Sequence, residues 1–206
     1  AAAIVTVSKG LAEAIEERYR AVGVDHVYVV ENGYADHVFS AIVPTERNDD
    51  QIIFRHTGFL VKDQKVERFM QALSMVKMLD NQALKDCVIE FVGGNPDLPR
   101  ELAISYGVED IVTCSGYVTH QKSVELMMTA DVLLLFWAPG IGTVGGKLYE
   151  YIRANQFILA FDQGNRDGKE ILDRTGRGRA VPIDDVEKQV EVLTNLINIR
   201  RNGEAL

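Results

Sequence analysis

Short apolar, β-branched runs alternate with helix-periodic segments along nearly the whole chain, and this alternation restricts the fold more than any other feature. Residues 51–56, 87–92, 111–114, 131–136, 157–161 and 179–181 read as strands. Between and after them, 66–79, 98–106, 123–129, 145–155, 169–175 and 186–199 read as helices, with Val66, Phe69, Met70, Leu73 and Val76 on one stripe of the first. Parallel neighbours need a crossover, and helices of this length supply it. The expected fold class is therefore α/β, a doubly wound parallel sheet. Such sheets bind ligands beyond the carboxyl ends of their strands, where the chain reverses its direction across the sheet.

Upstream lies a smaller unit. Residues 4–7 form a strand, Ser8 caps a helix carrying Leu11, Ile15, Tyr19 and Val22, and 26–30 form a second strand ending in the turn Glu31-Asn32-Gly33-Tyr34. The polar stretch 44–51, with Arg47-Asn48-Asp49-Asp50, has linker composition and places a boundary after residue 43.

A formal charge of −8 over 206 residues leaves no basic surface to hold a phosphate backbone, so no nucleic-acid partner is expected. The two cysteines, Cys87 and Cys114, sit in separate strand-like runs and read as buried free thiols, as in a reducing cytoplasm. The longest apolar run, near residues 130–138, is too short to span a bilayer.

The most informative stretch joins the strand at 131–136 to the helix at 145–155. Gly140, Gly142, Gly145 and Gly146 let the backbone approach a ligand, the helix start offers unpaired N–H groups, and Lys147 adds positive charge. The combination is suited to phosphate. Gly140, Gly142 and Gly145 also match the dinucleotide-binding spacing, with Asp162 at the end of the next strand. Against that reading, residues including Pro139 intervene between the strand and Gly140. A nucleoside-triphosphate P-loop fails outright, because Ile141 stands where its first glycine belongs and Leu148 where a hydroxyl residue should hold magnesium. Glu150, one helical turn beyond the loop, is placed to accept hydrogen bonds from the two hydroxyls of a ribose. Trp137 reads as a wall of the loop, and His56 as a hydrogen-bonded strand residue rather than a catalyst.

Several stretches, taken in order, carry a resemblance. They are Val5-Thr-Val-Ser8 with its helix, Val29-Val-Glu-Asn-Gly33, the strand leading to Gly58, Phe91-Val-Gly-Gly94, Ala130-Asp131-Val-Leu-Leu-Leu, and Gly146-Lys-Leu-Tyr-Glu-Tyr-Ile. Together they resemble the retaining glycosyltransferases of the GT-B fold, notably family 4. The resemblance implies that residues 1–43 end an N-terminal domain and linker, 44–185 form the Rossmann-like domain that binds a nucleoside diphosphate sugar, and 186–206 cross back toward the first domain. On that view the chain begins near the end of the first domain. The acceptor, a glycan or lipid-linked molecule, would be held by the missing part. The full enzyme would be cytoplasmic or peripheral on the inner face of a membrane.

The family's paired glutamates fall at Gly142, a departure, and at Glu150, a match. An Arg and a Lys after the first strand of this domain neutralise the diphosphate in the family. Here Phe59 takes the Arg position, and Lys62 or Lys65 is the candidate Lys. The base is expected near Gly116-Tyr117-Val118, with Tyr117 either stacking on it or packing. No cofactor and no metal are expected, since no Asp-x-Asp or His/Cys cluster stands in the candidate loops. Alternatives are a nucleotide-sugar epimerase of the same fold, a non-catalytic nucleotide-binding subunit and an NAD-binding oxidoreductase domain. The stripe of Val190, Leu193 and Leu196 on the last helix is expected to be partly exposed.

Overall fold

The computed structural model describes residues 3–24, 26–45, 51–140 and 144–206. Two sheets are present among the described residues. The smaller pairs β1 (Ile4–Thr6) with β2 (Val27–Val29) in parallel, joined by α1 (Lys9–Tyr19), whose first turn is capped by the Ser8 hydroxyl. The short helix α2 (Asp36–Ser40) follows, an element with no periodic signal of its own.

The larger sheet has six parallel strands in the order β5-β4-β3-β6-β7-β8. They are β3 (Ile52–Thr57), β4 (Cys87–Val92), β5 (Val112–Ser115), β6 (Val132–Phe136), β7 (Phe157–Asp162) and β8 (Gly178–Pro182). From β3 the chain moves outward to β5, returns to the middle at β6 and moves outward again to β8. The switch point is therefore between β3 and β6, as expected for a doubly wound sheet. Five crossover helices connect the strands: α3 (Val66–Leu79), α4 (Asp97–Ser105), α5 (His120–Met128), α6 (Gly146–Ala154) and α7 (Arg166–Thr175), with α8 (Val186–Arg201) after the last strand.

Side chains of β6 alternate between two cores. Val132, Leu134 and Phe136 face the layer of α3, α4 and α8, where Phe69, Met70, Ala103 and Leu193 meet them. Leu133 and Leu135 face α5, α6 and α7, with Met127, Leu148, Tyr151 and Leu172. Burial on both faces explains why the strands read as unbroken apolar runs. Phe39 of α2 is also buried in the second core. Cys87 is buried and Cys114 partly so, both as free thiols on strands. No described helix is long and apolar enough to cross a membrane.

The expectation of a partly exposed stripe holds at Val190, which is half-buried, and fails at the other two positions. Leu193 and Leu196 are 0% and 4% exposed, because α8 lies along α3 and closes that face of the sheet. Two of the three stripe residues expected to face another domain are spent on this core.

Near its middle, β3 carries a buried charge. Arg55 is 4% exposed; its guanidinium pairs with Glu90 of β4 and donates to the Leu126 carbonyl and the Thr129 hydroxyl at the end of α5. Removing one partner of such a pair strands the other and its acceptors. Arg55→Ala should cost about 3–5 kcal/mol of stability in urea unfolding. A loss below about 1 kcal/mol, the scale of an exposed pair, would contradict this role for Arg55.

Candidate functional site

Along their length β3 and β4 are paired at six positions, but β3 and β6 at two, Phe54↔Val132 and Arg55↔Leu133. Beyond Arg55 the two central strands part, and side chains take over their backbone groups. The Thr57 N–H donates to the Tyr151 hydroxyl at 2.9 Å, and the Leu134 carbonyl accepts from His56 Nδ1 at 2.9 Å. The floor beneath is aromatic: Phe136 and Phe161 stack with centroids 4.5 Å apart, and the His56 ring lies 5.6 Å from Phe136. The two strands therefore diverge at the carboxyl end of the switch point, where doubly wound sheets have their ligand crevice.

Glycine lines one wall. Gly58 has φ of +132°, a conformation that L side chains rarely adopt. A carbon placed on it would lie 3.7 Å from both His56 Nε2 and Lys147 Cε. Gly94, with φ of +61°, packs so closely on Phe59 that an added carbon would sit 3.0 Å from its Cα. Phe59 itself is 68% exposed.

The other wall is the start of α6. Gly145 is its N-cap and has no side-chain capping bond, and Gly145 and Gly146 are both exposed. Among the described residues no side chain caps this first turn, and the N–H groups of a helix start so left are suited to an anion. Lys147 Nζ is 2.7 Å from Glu150 Oε2, while His120 Nε2 is 3.0 Å from Glu150 Oε1. Burial works against the Glu150 carboxylate, but hydrogen bonds from Lys147 and His120, with their charges, outweigh it and hold the carboxyl below its usual range. A carboxylate has about four lone-pair sites, so two partners leave room for hydroxyl donors.

The structure thus brings together Gly58, Gly145, Gly146, Lys147 and Glu150. Gly116, Tyr117 and Val118 belong to the loop that leads through the Thr119 cap into His120, and so reach the same neighbourhood through α5; Tyr117 is 86% exposed. Gly142 lies outside the described residues. Lys62 and Lys65 line a different groove of about 680 Å³, together with Pro139, Asp162, Gln163 and Asp184. Lys65 Nζ is bound to Asp184 at 2.7 Å. Trp137 is buried against α7, where a side chain on Gly168 would strike its ring. It walls the loop. His120 escaped the sequence reading because only the packing of α5 on α6 brings it to Glu150.

The fold is that of the Rossmann-like domain found in glycosyltransferases of the GT-B type. Among solved structures similar to this chain is WaaG, "a glycosyltransferase involved in lipopolysaccharide biosynthesis", at 19% identity and a TM-score of 0.75, covering 96% of this chain and 55% of that one. Another is a point mutant of S. aureus TarM in complex with fondaparinux, alpha-GlcNAc-glycerol and UDP, at 12% identity and 0.73, covering 95% and 37%. The pneumococcal O-GlcNAc transferase GtfA, in complex with UDP and GlcNAc, matches at 13% and 0.61, covering 98% and 38%. The chain spans about half or less of the length of these structures. No family model and no curated protein matches the sequence.

The crevice carries a pH signature. Burial pushes the His56 ring down from 6.5 to about 4, with the charge of Lys147 acting the same way and the Leu134 and Phe59 carbonyls opposing. The unfolded ring binds a proton that the folded ring refuses, so this contribution is complete above pH 6.5 and falls as pH drops toward 4. The loss reaches about 3 kcal/mol at pH 4 and should vanish in His56→Gln. Equal pH slopes for both proteins in denaturant melts between these values would refute it.

Proposed function

We propose that this chain binds a nucleoside diphosphate sugar in the switch-point crevice and forms the donor-binding half of a retaining glycosyltransferase of family 4. The observation that carries the reading is the uncapped start of α6, with Lys147 and Glu150, set against the bare backbone of Gly58 where β3 and β6 part. The diphosphate lies on the N–H groups of Gly145 and Gly146 beside Lys147, the ribose hydroxyls bind Glu150, and the base lies toward Gly116, Tyr117 and Val118. UDP in the TarM and GtfA complexes supports this class of ligand.

Residues 1–43 belong with an N-terminal domain that holds a glycan or lipid-linked acceptor, 44–185 bind the donor, and 186–206 lead back toward that domain. The full enzyme works in the cytoplasm or on the inner membrane face. Helix dipole and lysine replace a metal at the diphosphate. The two candidate lysines, Lys62 and Lys65, line the separate groove beside Pro139, with Lys65 held by Asp184, so on this reading the lysine charge at the diphosphate is that of Lys147. A second reading, a nucleotide-binding subunit without catalysis of its own, is favoured by the exposed Phe59 where the family has an Arg.

Calorimetric titration with UDP, GDP and ADP and their sugars tests the proposal. One nucleotide should bind, equally well with EDTA present, and Glu150→Ala should weaken it by roughly 1–3 kcal/mol. Unchanged affinity in the variant, or binding abolished by chelator and restored by magnesium, would contradict the assignment. The isolated 206 residues should bind donor and transfer no sugar, and multi-turnover transfer by them would overturn the two-domain reading.

A further inference from the structure

His56 is a buried imidazole at the wall of the crevice. Its ring is 4% exposed and lies directly behind Gly58. Nδ1 is tied to the Leu134 carbonyl, an acceptor, so Nδ1 carries the hydrogen and the lone pair of the neutral ring is on Nε2. Among the described residues Nε2 is buried and no donor meets its lone pair, while the Phe59 carbonyl approaches the ring. A buried polar atom left unmatched has a free-energy cost, and its position beside the wall of the crevice ties that cost to what the crevice holds.

The surroundings suit an imidazolium once an anion arrives. Leu134 and Phe59 each direct a carbonyl toward the ring, and both favour its charged form. What opposes the charge is desolvation, first, and Lys147 second. The remaining groups facing this region are few. Phe91 of β4 and Phe136 of β6 are apolar, and Tyr151 of α6 has a hydroxyl that burial pushes up to about 12. Glu150 is joined to Lys147, and His120 reaches the ring only through Glu150. A diphosphate over Gly58 would offset both opposing effects by placing negative charge within a few ångströms in a poorly screened site.

We propose, on the reading of the crevice as a nucleotide-sugar site, that His56 is its proton-linked cation: it takes up one proton from solvent when the diphosphate binds and supplies positive charge beneath it. The loop after β3 shows why such a device is needed. The Arg position is Phe59, and Lys65 is committed to Asp184, so the crevice is short of permanent positive charge.

The test uses UDP-glucose, GDP-glucose and ADP-glucose, whose diphosphate is a diester with no ionisation of its own near neutrality. Binding enthalpy is measured at pH 6 in two buffers of different ionisation enthalpy. For the sugar nucleotide that binds, uptake should approach one proton per ligand, and affinity should rise toward acid by up to about tenfold per pH unit. His56→Gln should bind with no uptake assignable to this ring and a flatter pH dependence. Should that variant fail to fold, the imidazole resonances of His56 in the unaltered chain give the same answer, distinct from those of His120: neutral when free at pH 6, protonated when saturated. Binding with a His56 ring that stays neutral overturns this inference alone. No binding by any of the three overturns the nucleotide reading and this inference with it.

Discussion

The separation of β3 from β6 beyond Arg55 is the constraint on which the rest of the structure depends. A parallel ladder left open exposes N–H and C=O groups that must find partners, and here two side chains supply them. Tyr151 serves Thr57 from below the sheet's second face, and His56 serves Leu134 from within the strand. Tyr151 does so through its hydroxyl and His56 through Nδ1 alone, so each bridges a position where the strand ladder has lapsed. The aromatic group of Phe69, Phe91, Phe136 and Phe161 then forms a rigid floor of edge and stacked contacts.

The two sheets are joined in a different manner from the way the larger one is built. Inside the six-stranded sheet the contacts are apolar and dense on both faces. Between α1 and α7 they are ionic: Lys9 with Glu170, Arg166 with Glu13, and the buried Asp167 carboxylate accepting from the Gly10 N–H at 2.7 Å. Arg174 adds a contact to Glu31 beyond β2. Exposed ion pairs each contribute little, and seams of this kind resemble contacts between domains more than contacts within one. The contrast is confined to α1, since α2 buries Phe39 in the second core with Val38 and Ile42 against it.

Much of this was legible in the sequence, for identifiable reasons. Strands buried on both faces announce themselves as apolar runs, and α3 and β4 fall at the expected residues because Leu79 and Val92 are followed at once by polar or glycine punctuation. Gly58, Lys147 and Glu150 were readable because glycine and charge stand out locally. Three features were not. The α2 helix is too short to show a period, and its single buried anchor, Phe39, looks like any other aromatic. His120 meets Glu150 only through the packing of α5 on α6. The burial of Leu193 and Leu196 depends on the long-range contact of α8 with α3, which an apolar stripe alone cannot assign to one partner. The lysines after β3 illustrate the same limit: Lys65 adopts φ of +51° and turns toward Asp184, a choice that local sequence does not encode.

The ligand site proposed above is the crevice between β3 and α6 rather than the groove lined by Lys62, Lys65 and Asp184. Amide chemical-shift mapping during titration with UDP, GDP and ADP distinguishes the two directly. For the nucleotide that binds, the largest shifts should fall on Gly58, Gly145, Gly146 and Lys147, with His120 responding as Glu150 exchanges partners. Shifts centred on Lys65, Asp162 and Asp184, or no shift with any of the three, would contradict it.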